Sequence, residues 1–248
     1  MIKKIFGALF VSALLILAGC KQDVDTTKLS PYLYDYTPVN VGHTVIYDVD
    51  SVRFNYLGGA TQYVDTFHYQ LKVLVQDTFL DINGKVNYRM ETWKRTDTTQ
   101  PFVIDHAWYC FTTRNTFEIV ENDLHFVKLV FPPVIGVNWQ GNEYIPANDT
   151  VTDTYQPYAG WIYTFTAVNA PAIVNNQHFD STTVVTEINT EPTDKVYGAL
   201  SRNTYARHIG LIYREWEILD KQDIQSSYDY PNRTNGFRIR MRIHSYTP

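Results

Sequence analysis

The sequence predicts an all-β protein built on one antiparallel, strongly curved sheet, a half-barrel or barrel, with a β-sandwich as the alternative. Apolar and polar residues alternate with a period of two along many short stretches, as in strands with one buried and one solvated face. Turn-forming pairs such as Pro132-Pro133 and Ala170-Pro171 separate these stretches. No window shows the sustained i, i+3, i+4 apolar spacing of a helix.

The strands follow one another closely along the chain. Residues 45–49 carry apolar side chains at odd positions and residues 52–56 at even positions, and this change of phase predicts a β-bulge near Asp50 and Ser51. Residues 195–202, interrupted by Gly198, are the best short helical candidate. The strand candidates are 45–56, 67–76, 86–95, 104–113, 117–121, 124–131, 161–168, 181–188, 209–219 and 237–246.

Two of these candidates are apolar on both faces. Residues 108–111 read Trp-Tyr-Cys-Phe, and Phe126-Val127 has the same character. Such strands need cover on both sides, which favours a sheet that curves around its own core. The remaining strands alternate and need cover on one side only.

The amino-terminal segment has the layout of an export signal. Lys3 and Lys4 precede an apolar run, residues 5–17, that is too short to span a bilayer as a helix. The run ends in Leu17-Ala18-Gly19-Cys20, which resembles a bacterial lipobox; an ordinary secretory signal is the alternative. The resemblance implies a diacylglyceryl thioether on Cys20, acylation such as palmitate on its amino end, and cleavage before it.

This organisation gives three segments. Residues 1–19 are the signal peptide, residues 20–37 a lipidated flexible tether, and residues 38–248 a single antiparallel β domain. Lipid at Cys20 predicts membrane attachment; the outer membrane is the location implied by the resemblance to outer-membrane lipoproteins described below, with the periplasmic and cell-surface faces both open. The tether is polar and has little periodicity, as expected for a linker.

Composition excludes several classes of function. The chain has a net charge of −5, and loss of residues 1–19 removes two lysines and no acid, so the charge falls to −7. A nucleic-acid partner, which needs a strongly basic face, is therefore not expected. The histidines are not at metal-ligand spacing, and no nucleophile elbow, phosphate loop or His-Glu-x-x-His motif occurs. We expect no cofactor, no metal and no enzymatic activity.

The sequence predicts different roles for the two cysteines. Because Cys20 is consumed by lipid, Cys110 has no partner within the chain and no disulfide is expected. Cys110 lies in an apolar run, where a free thiol is usually buried and inert. The fold therefore depends on its core.

The last strand has the most regular pattern. Arg238, Arg240 and Arg242 line one face of residues 237–244 and apolar residues line the other. This face is either a stripe that binds an anion or a partner, or a cross-strand ion ladder. Glu215 and Glu217 on the preceding strand would supply the acids of a ladder.

Several Asp-Ser/Thr sites resemble the short motif that Bacteroidota O-glycosylate on exported proteins. The candidate acceptors are Thr26, Thr98, Thr150 and Ser181. A glycan on a loop is compatible with burial of the neighbouring strands, and we expect Thr98 and Thr150 first.

Three longer segments resemble uncharacterised outer-membrane lipoproteins of Bacteroidota: Tyr36-Thr37-Pro38, Leu129-Val130-Phe131-Pro132 and the run 205–212. The run 205–212 is also distantly similar to curved-sheet, half-barrel domains of periplasmic lipoprotein carriers. The resemblance implies location and a half-barrel, and it implies no catalytic residue.

Three hypotheses of function follow. The first is a non-catalytic accessory or binding subunit that docks on an outer-membrane protein. The second is a carrier or receptor for a lipid or other apolar ligand, with Phe67, Tyr69 and Leu71 lining a cavity in the concave face of the sheet. The third is a glycan-binding surface protein that stacks Trp139 and Trp161 on sugars, although buried tryptophans explain the same content.

Overall fold

The computed structural model describes residues 32–56, 62–145, 158, 160–190, 197–221 and 234–248. These residues include the 3₁₀ turn Tyr34–Tyr36 and a series of β-strands. The strands are β1 Thr44–Tyr56, β2 Gln62–Leu80, β3 Val86–Arg95, β4 Val103–Thr112, β5 Thr116–Glu121, β6 Leu124–Val130, β7 Asn138–Trp139, β8 Tyr163–Val174, β9 Gln177–Asn189, β10 Tyr197–Ala206, β11 Gly210–Lys221 and β12 Thr234–Thr247.

All of these strands belong to one antiparallel sheet, in the order β6-β5-β4-β3-β2-β1-β12-β11-β10-β9-β8-β7. The chain therefore makes two meanders, β1 to β6 and β7 to β12, which join where the first and last strands pair. The predicted fold class is confirmed: the protein is all-β, with one strongly curved, barrel-like sheet. The sandwich alternative is not adopted.

The sheet is nearly closed at its two edges, β6 and β7. The backbone N–H of Val127 in β6 donates to the carbonyl of Gly141, just after β7, at 2.8 Å. The indole Nε1 of Trp139 donates to the Val127 carbonyl, also at 2.8 Å. These bonds satisfy polar groups that an open sheet edge would leave without partners.

Alternation along the strands builds the interior. Val45, Tyr47 and Val49 are buried on one face of β1, and they pack with Ile212 and Ile243 from β11 and β12. Large aromatic side chains fill a second part of the core, as the composition predicts: Phe117, Trp161, Tyr163, Phe165 and Tyr205.

The 3₁₀ turn is packed against the barrel. Tyr36 is fully buried, and its hydroxyl donates to Asn169 Oδ1 at 2.9 Å. Residues 32–37, which the sequence analysis assigns to the tether, are thus part of the compact unit that extends from Tyr32 to Pro248. The predicted signal peptide, Cys20 and the rest of the tether lie outside the described residues.

Two local predictions were wrong. The chain pairs β1 with β2 without interruption across Asp50 and Ser51, and the register shift of β1 lies between Ile46 and Tyr47, opposite β12. The phase change in the sequence arises because Val45, Tyr47 and Val49 are buried on one face of β1, whereas Phe54 is buried on the other. The predicted short helix is also absent, because residues 197–206 pair as β10 with strands on both sides, and such pairing overrides a weak local preference.

The free thiol of Cys110 lies on β4, inside the sheet. Cys110 is fully buried, as predicted, and burial raises the pKa of its thiol to about 12; its lack of reactivity stays a prediction. No helix among the described residues is long and apolar enough to cross a membrane.

Candidate functional site

The inner face of the sheet contains a groove at the end of the barrel where β1 and β2 extend furthest. Its volume is about 630 Å³. It lies on five strands, β1, β2, β3, β11 and β12. The side chains that shape it are Ser51, Arg53, Phe67, Tyr69, Lys94, Trp216, Phe237 and Ile239.

Strand register explains why these side chains share one face. Phe67 is opposite Ser51, Ser51 is opposite Ile239, and Ile239 is opposite Trp216. These four residues therefore form one row across β2, β1, β12 and β11, since residues directly opposite each other point to the same side of a sheet. Ser51 is the smallest member of the row, and its short side chain leaves the hollow between its large neighbours.

The walls of the groove are aromatic. Trp216 and Phe237 pack edge to face, with ring centroids 4.7 Å apart. Phe67 is 51% exposed, so a large apolar ring on the inner face of the barrel borders solvent and not a packed core. Such exposed apolar area is available to a ligand.

The charged residues that line the groove are both cations. Arg53 is exposed and Lys94 is half-buried, with Lys94 Nζ 3.9 Å from the centroid of the Tyr69 ring. None of the lining residues that the structure describes is Asp or Glu. The groove thus has positive charge, although the chain as a whole is acidic.

A smaller cavity of about 120 Å³ lies deeper in the barrel. Leu71, Met90, Trp108 and Ile119 form part of its apolar wall, and Arg214 and Glu121 are its charged residues. Arg214 lies two residues before Trp216 on β11, on the same face of the sheet, and is opposite Met241. The cavity therefore continues the inner face beyond the groove.

Arg214 belongs to a buried polar cluster. Its Nε donates to Asn203 Oδ1 at 3.1 Å. Burial alone would lower the pKa of Arg214, but the charges of Glu121 and Glu187 outweigh this effect and raise it. Glu187 in turn accepts hydrogen bonds from Lys128 Nζ at 3.0 Å and from Asn203 Nδ2 at 2.8 Å. The acidic and basic side chains of this cluster thus offset one another's charge.

The arginine stripe of β12 lies on the outer face as a cross-strand ion ladder, which confirms that interpretation of the pattern. Arg238 is paired with Glu217, Arg240 Nε lies 2.9 Å from Glu215 Oε1, and Arg242 is paired with Asp50. An anion or partner site at Arg238, Arg240 and Arg242 stays a prediction, and its ligand has to compete with these carboxylates.

The remaining predicted sites lie apart from the groove. Thr98 is in an exposed turn, whereas Ser181 is within β9 and its hydroxyl donates to Asn169 Oδ1 at 3.0 Å. Cys20, Thr26 and Thr150 lie outside the described residues. Glycosylation and lipidation stay predictions.

The two tryptophans of the glycan hypothesis are packed. Trp161 is buried in the core. The ring of Trp139 packs against Tyr163 and Phe165, at centroid distances of 5.8 and 4.8 Å. Trp161 has no exposed face for a sugar and Trp139 is half-buried against other rings, so this arrangement favours the interpretation that these tryptophans serve the core.

Sequence reasoning found part of the groove. It named Phe67 and Tyr69 as candidates for a cavity wall, and it named Leu71, which lines the deeper cavity. It missed Ser51, Arg53 and Lys94, because only the register of five strands brings these residues together. Among the described residues, no group of three or more His, Cys, Asp or Glu could hold a metal ion.

Comparisons with known proteins give no family. No family model matches the chain, and no curated protein matches it. One solved structure is similar, a Bacteroides fragilis protein described as exported and as having a YmcC-like fold. It is 9% identical, the match covers 85% of this chain and 98% of that one, and the TM-score is 0.38. A likeness this low supports no conclusion about fold or function.

Proposed function

We propose that the protein is a non-catalytic envelope protein that binds a small apolar ligand in the groove at the mouth of its barrel. The observation that carries this proposal is the groove of about 630 Å³ with aromatic walls. Ligand sites in proteins are mostly apolar clefts of roughly 300–1,000 Å³. A groove of this size on the concave face therefore supports the second of the hypotheses drawn from the sequence.

The deeper cavity limits the kind of ligand. At about 120 Å³ it is smaller than an engineered apolar cavity of about 150 Å³ that binds benzene. It accommodates at most a group the size of a small ring, and not a whole acyl chain. The body of the ligand is therefore expected in the groove.

The location is proposed from the sequence. The lipobox resemblance at Cys20 supports a lipid anchor, and residues 1–19 have the layout of an export signal. An anchored protein with a ligand groove acts as a carrier or receptor at the outer membrane. Since no catalytic motif occurs in the sequence, we assign it no reaction.

The test fills the groove without changing its charge. In Ser51→Trp, an indole enters the hollow between Phe67 and Ile239. In the control Val52→Trp, the same side chain is added on the opposite face of the same strand. Both variants and the parent are titrated with N-phenyl-1-naphthylamine, an uncharged apolar probe whose fluorescence rises when water is excluded.

We expect the parent and Val52→Trp to bind the probe with similar affinity, and Ser51→Trp to bind at least about tenfold more weakly, because the added ring occupies the site. Circular dichroism and the thermal midpoint establish that each variant is folded. Equal binding by all three proteins, or no binding by the parent, would overturn the proposal.

A second candidate function, docking on an envelope protein, is supported by an unpaired strand edge. Among the described residues, β5 pairs with β4 only at positions 109–112. The edge of β4 at 103–108 thus has no neighbouring strand on that side, and Val103 and Ile104 are 64% and 54% exposed. Such an edge can accept an extended segment of a partner as an added strand.

Affinity purification of the protein from its native membrane in mild detergent tests the docking function. We expect a stoichiometric partner with the parent and its loss with Ile104→Lys, because a charge on an edge opposes strand addition. Glu91→Lys on β3, which is paired on both sides, is the control. Recovery of the protein alone from the parent would contradict docking.

A further inference from the structure

We infer that the ligand of the groove is an amphipathic organic anion, whose acidic group is held by Arg53 and Lys94 and whose apolar body lies against Phe67, Trp216 and Phe237. This inference rests on the proposed ligand-binding function and names the chemical class of the ligand. It starts from the two cations that line the groove.

Arg53 and Lys94 have no acidic partner among the described residues. The arginines of the β12 ladder, in contrast, each have a carboxylate within ion-pair distance. Among the described residues, Arg53 has no ion pair or side-chain hydrogen bond, and the contact of Lys94 is with the face of the Tyr69 ring. Their positive charge is thus available to a ligand.

None of the described residues that line the groove supplies a negative charge to balance these cations. Asp65, which is directly opposite Arg53 in the register, accepts a hydrogen bond from Asn55 Nδ2 at 3.3 Å instead. The chain has a net charge of −5, yet among the described residues that line the groove the charged ones are cations. Two uncompensated cations on one wall favour a negatively charged ligand.

The groove also favours an apolar body for the ligand. Lys94 is half-buried against Tyr69, so its charge is less solvated than that of a fully exposed lysine and interacts more strongly with an anion. The aromatic walls favour a ligand that has apolar surface next to its acidic group. A bare inorganic anion would pair with the cations but make no apolar contact, whereas an uncharged apolar molecule would contact the aromatic walls but leave the cations without a counter-charge.

The test compares three probes on the full chain. Anilinonaphthalene sulfonate has an apolar body and a negative charge, N-phenyl-1-naphthylamine has the same body without the charge, and inorganic sulfate has the charge without the body. The variants are Arg53→Gln, Lys94→Gln and the double variant. Arg114→Gln is the matched control, because Arg114 is exposed on the turn between β4 and β5 and is not part of the groove.

We expect the anionic probe to bind the parent more tightly than the uncharged probe, and sulfate to compete weakly. Each single variant should bind the anionic probe about 3- to 10-fold more weakly, the range expected for a charged contact at a partly solvated site. Affinity for the uncharged probe should change less than about twofold, and Arg114→Gln should match the parent with both probes. Ser51→Trp should abolish binding of both probes, which locates them in the groove.

The failures of the two proposals are distinguishable. If both probes bind equally and Arg53→Gln and Lys94→Gln leave both affinities unchanged, the groove binds apolar molecules without selecting for charge. The inference then fails and the ligand-binding function stands. If neither probe binds the parent, or if Ser51→Trp leaves binding unchanged, both proposals fail.

Discussion

Lys128 and Glu187 form an ion pair inside the barrel, with both side chains almost completely buried. Burial alone would raise the pKa of Glu187, but Lys128 and Arg214 outweigh burial and hold it below its ordinary value. The carboxylate therefore stays charged in the core. Removing one member of such a pair leaves the other charge buried without a partner, which costs more than the pair contributes.

We predict that Lys128→Met lowers the free energy of unfolding by about 3–5 kcal/mol, measured by urea denaturation. The control is Arg89→Met, which breaks the ion pair of Arg89 with Asp77 on the surface. The control should change stability by less than about 1 kcal/mol, because exposed pairs are weak. A loss in Lys128→Met no larger than that of the control would contradict a buried, charged pair.

Cys110 provides a second test at the scale of a single residue. Its thiol is buried and its pKa is raised by burial to about 12, so neither access nor ionisation favours reaction. We predict that iodoacetamide does not modify Cys110 in the folded protein at pH 8 and modifies it fully in urea, as measured by peptide mapping. Rapid modification under native conditions would show that β4 opens.

At the scale of elements, the outer ladder links β11, β12 and β1 through charge. Hydrogen bonds from Arg242 hold the pKa of Asp50 below its ordinary value, and burial opposes them only in part. For Glu215, burial alone would raise the pKa, but Arg240 and Arg202 outweigh it and lower the pKa. Both carboxylates therefore bind protons less readily in the folded state than in the unfolded state.

The sign of the pH dependence follows from this difference. The stabilisation by each carboxylate is complete above its ordinary pKa, 3.8 for Asp50 and 4.5 for Glu215. It is lost as the pH falls through the lower folded value. We predict that the urea midpoint falls below about pH 4.5 and that Glu215→Gln makes this fall shallower. High salt should also make the fall of the urea midpoint shallower, because salt screens the charges of the partly exposed ladder. An unchanged pH profile in Glu215→Gln would contradict the ladder.

The strands themselves were largely predictable from the sequence, because a period of two is a local signal. Residues 67–76 and 237–246 alternate clearly, and both lie within strands of the structure. β10 was not predictable, because Gly198 and the lack of alternation hide a strand that is held by its neighbours. The phase change at Asp50 and Ser51 indicated a bulge, although it marks the point where the buried side chains of β1 change from one face, at Val45, Tyr47 and Val49, to the other, at Phe54.

The groove was only partly predictable, for a physical reason that belongs to the whole molecule. Its central row joins Phe67 of the first meander to Trp216 of the second through Ser51 and Ile239. This row exists because β1 pairs with β12, a contact between opposite ends of the domain that no local pattern encodes. Sequence alternation can place a residue on a face, but it cannot identify its neighbours.

The packed core and the groove lie in different parts of the sheet, and both meanders contribute to the groove. The aromatic core and the buried ion pairs stabilise the body of the barrel, while β1, β2, β11 and β12 extend beyond the core and form the groove. Charge is divided in the same way, with paired arginines on the outer face of β12 and cations without acidic partners inside the groove.

The most direct test of the ligand-binding function is native mass spectrometry of the protein extracted from its own membrane, in the parent and in Ser51→Trp. We predict that the parent retains a small organic molecule of defined mass that is an anion after release, and that Ser51→Trp lacks it, while Val52→Trp retains it. A parent protein whose mass equals polypeptide and covalent modifications alone would contradict the proposal that the groove is a ligand site.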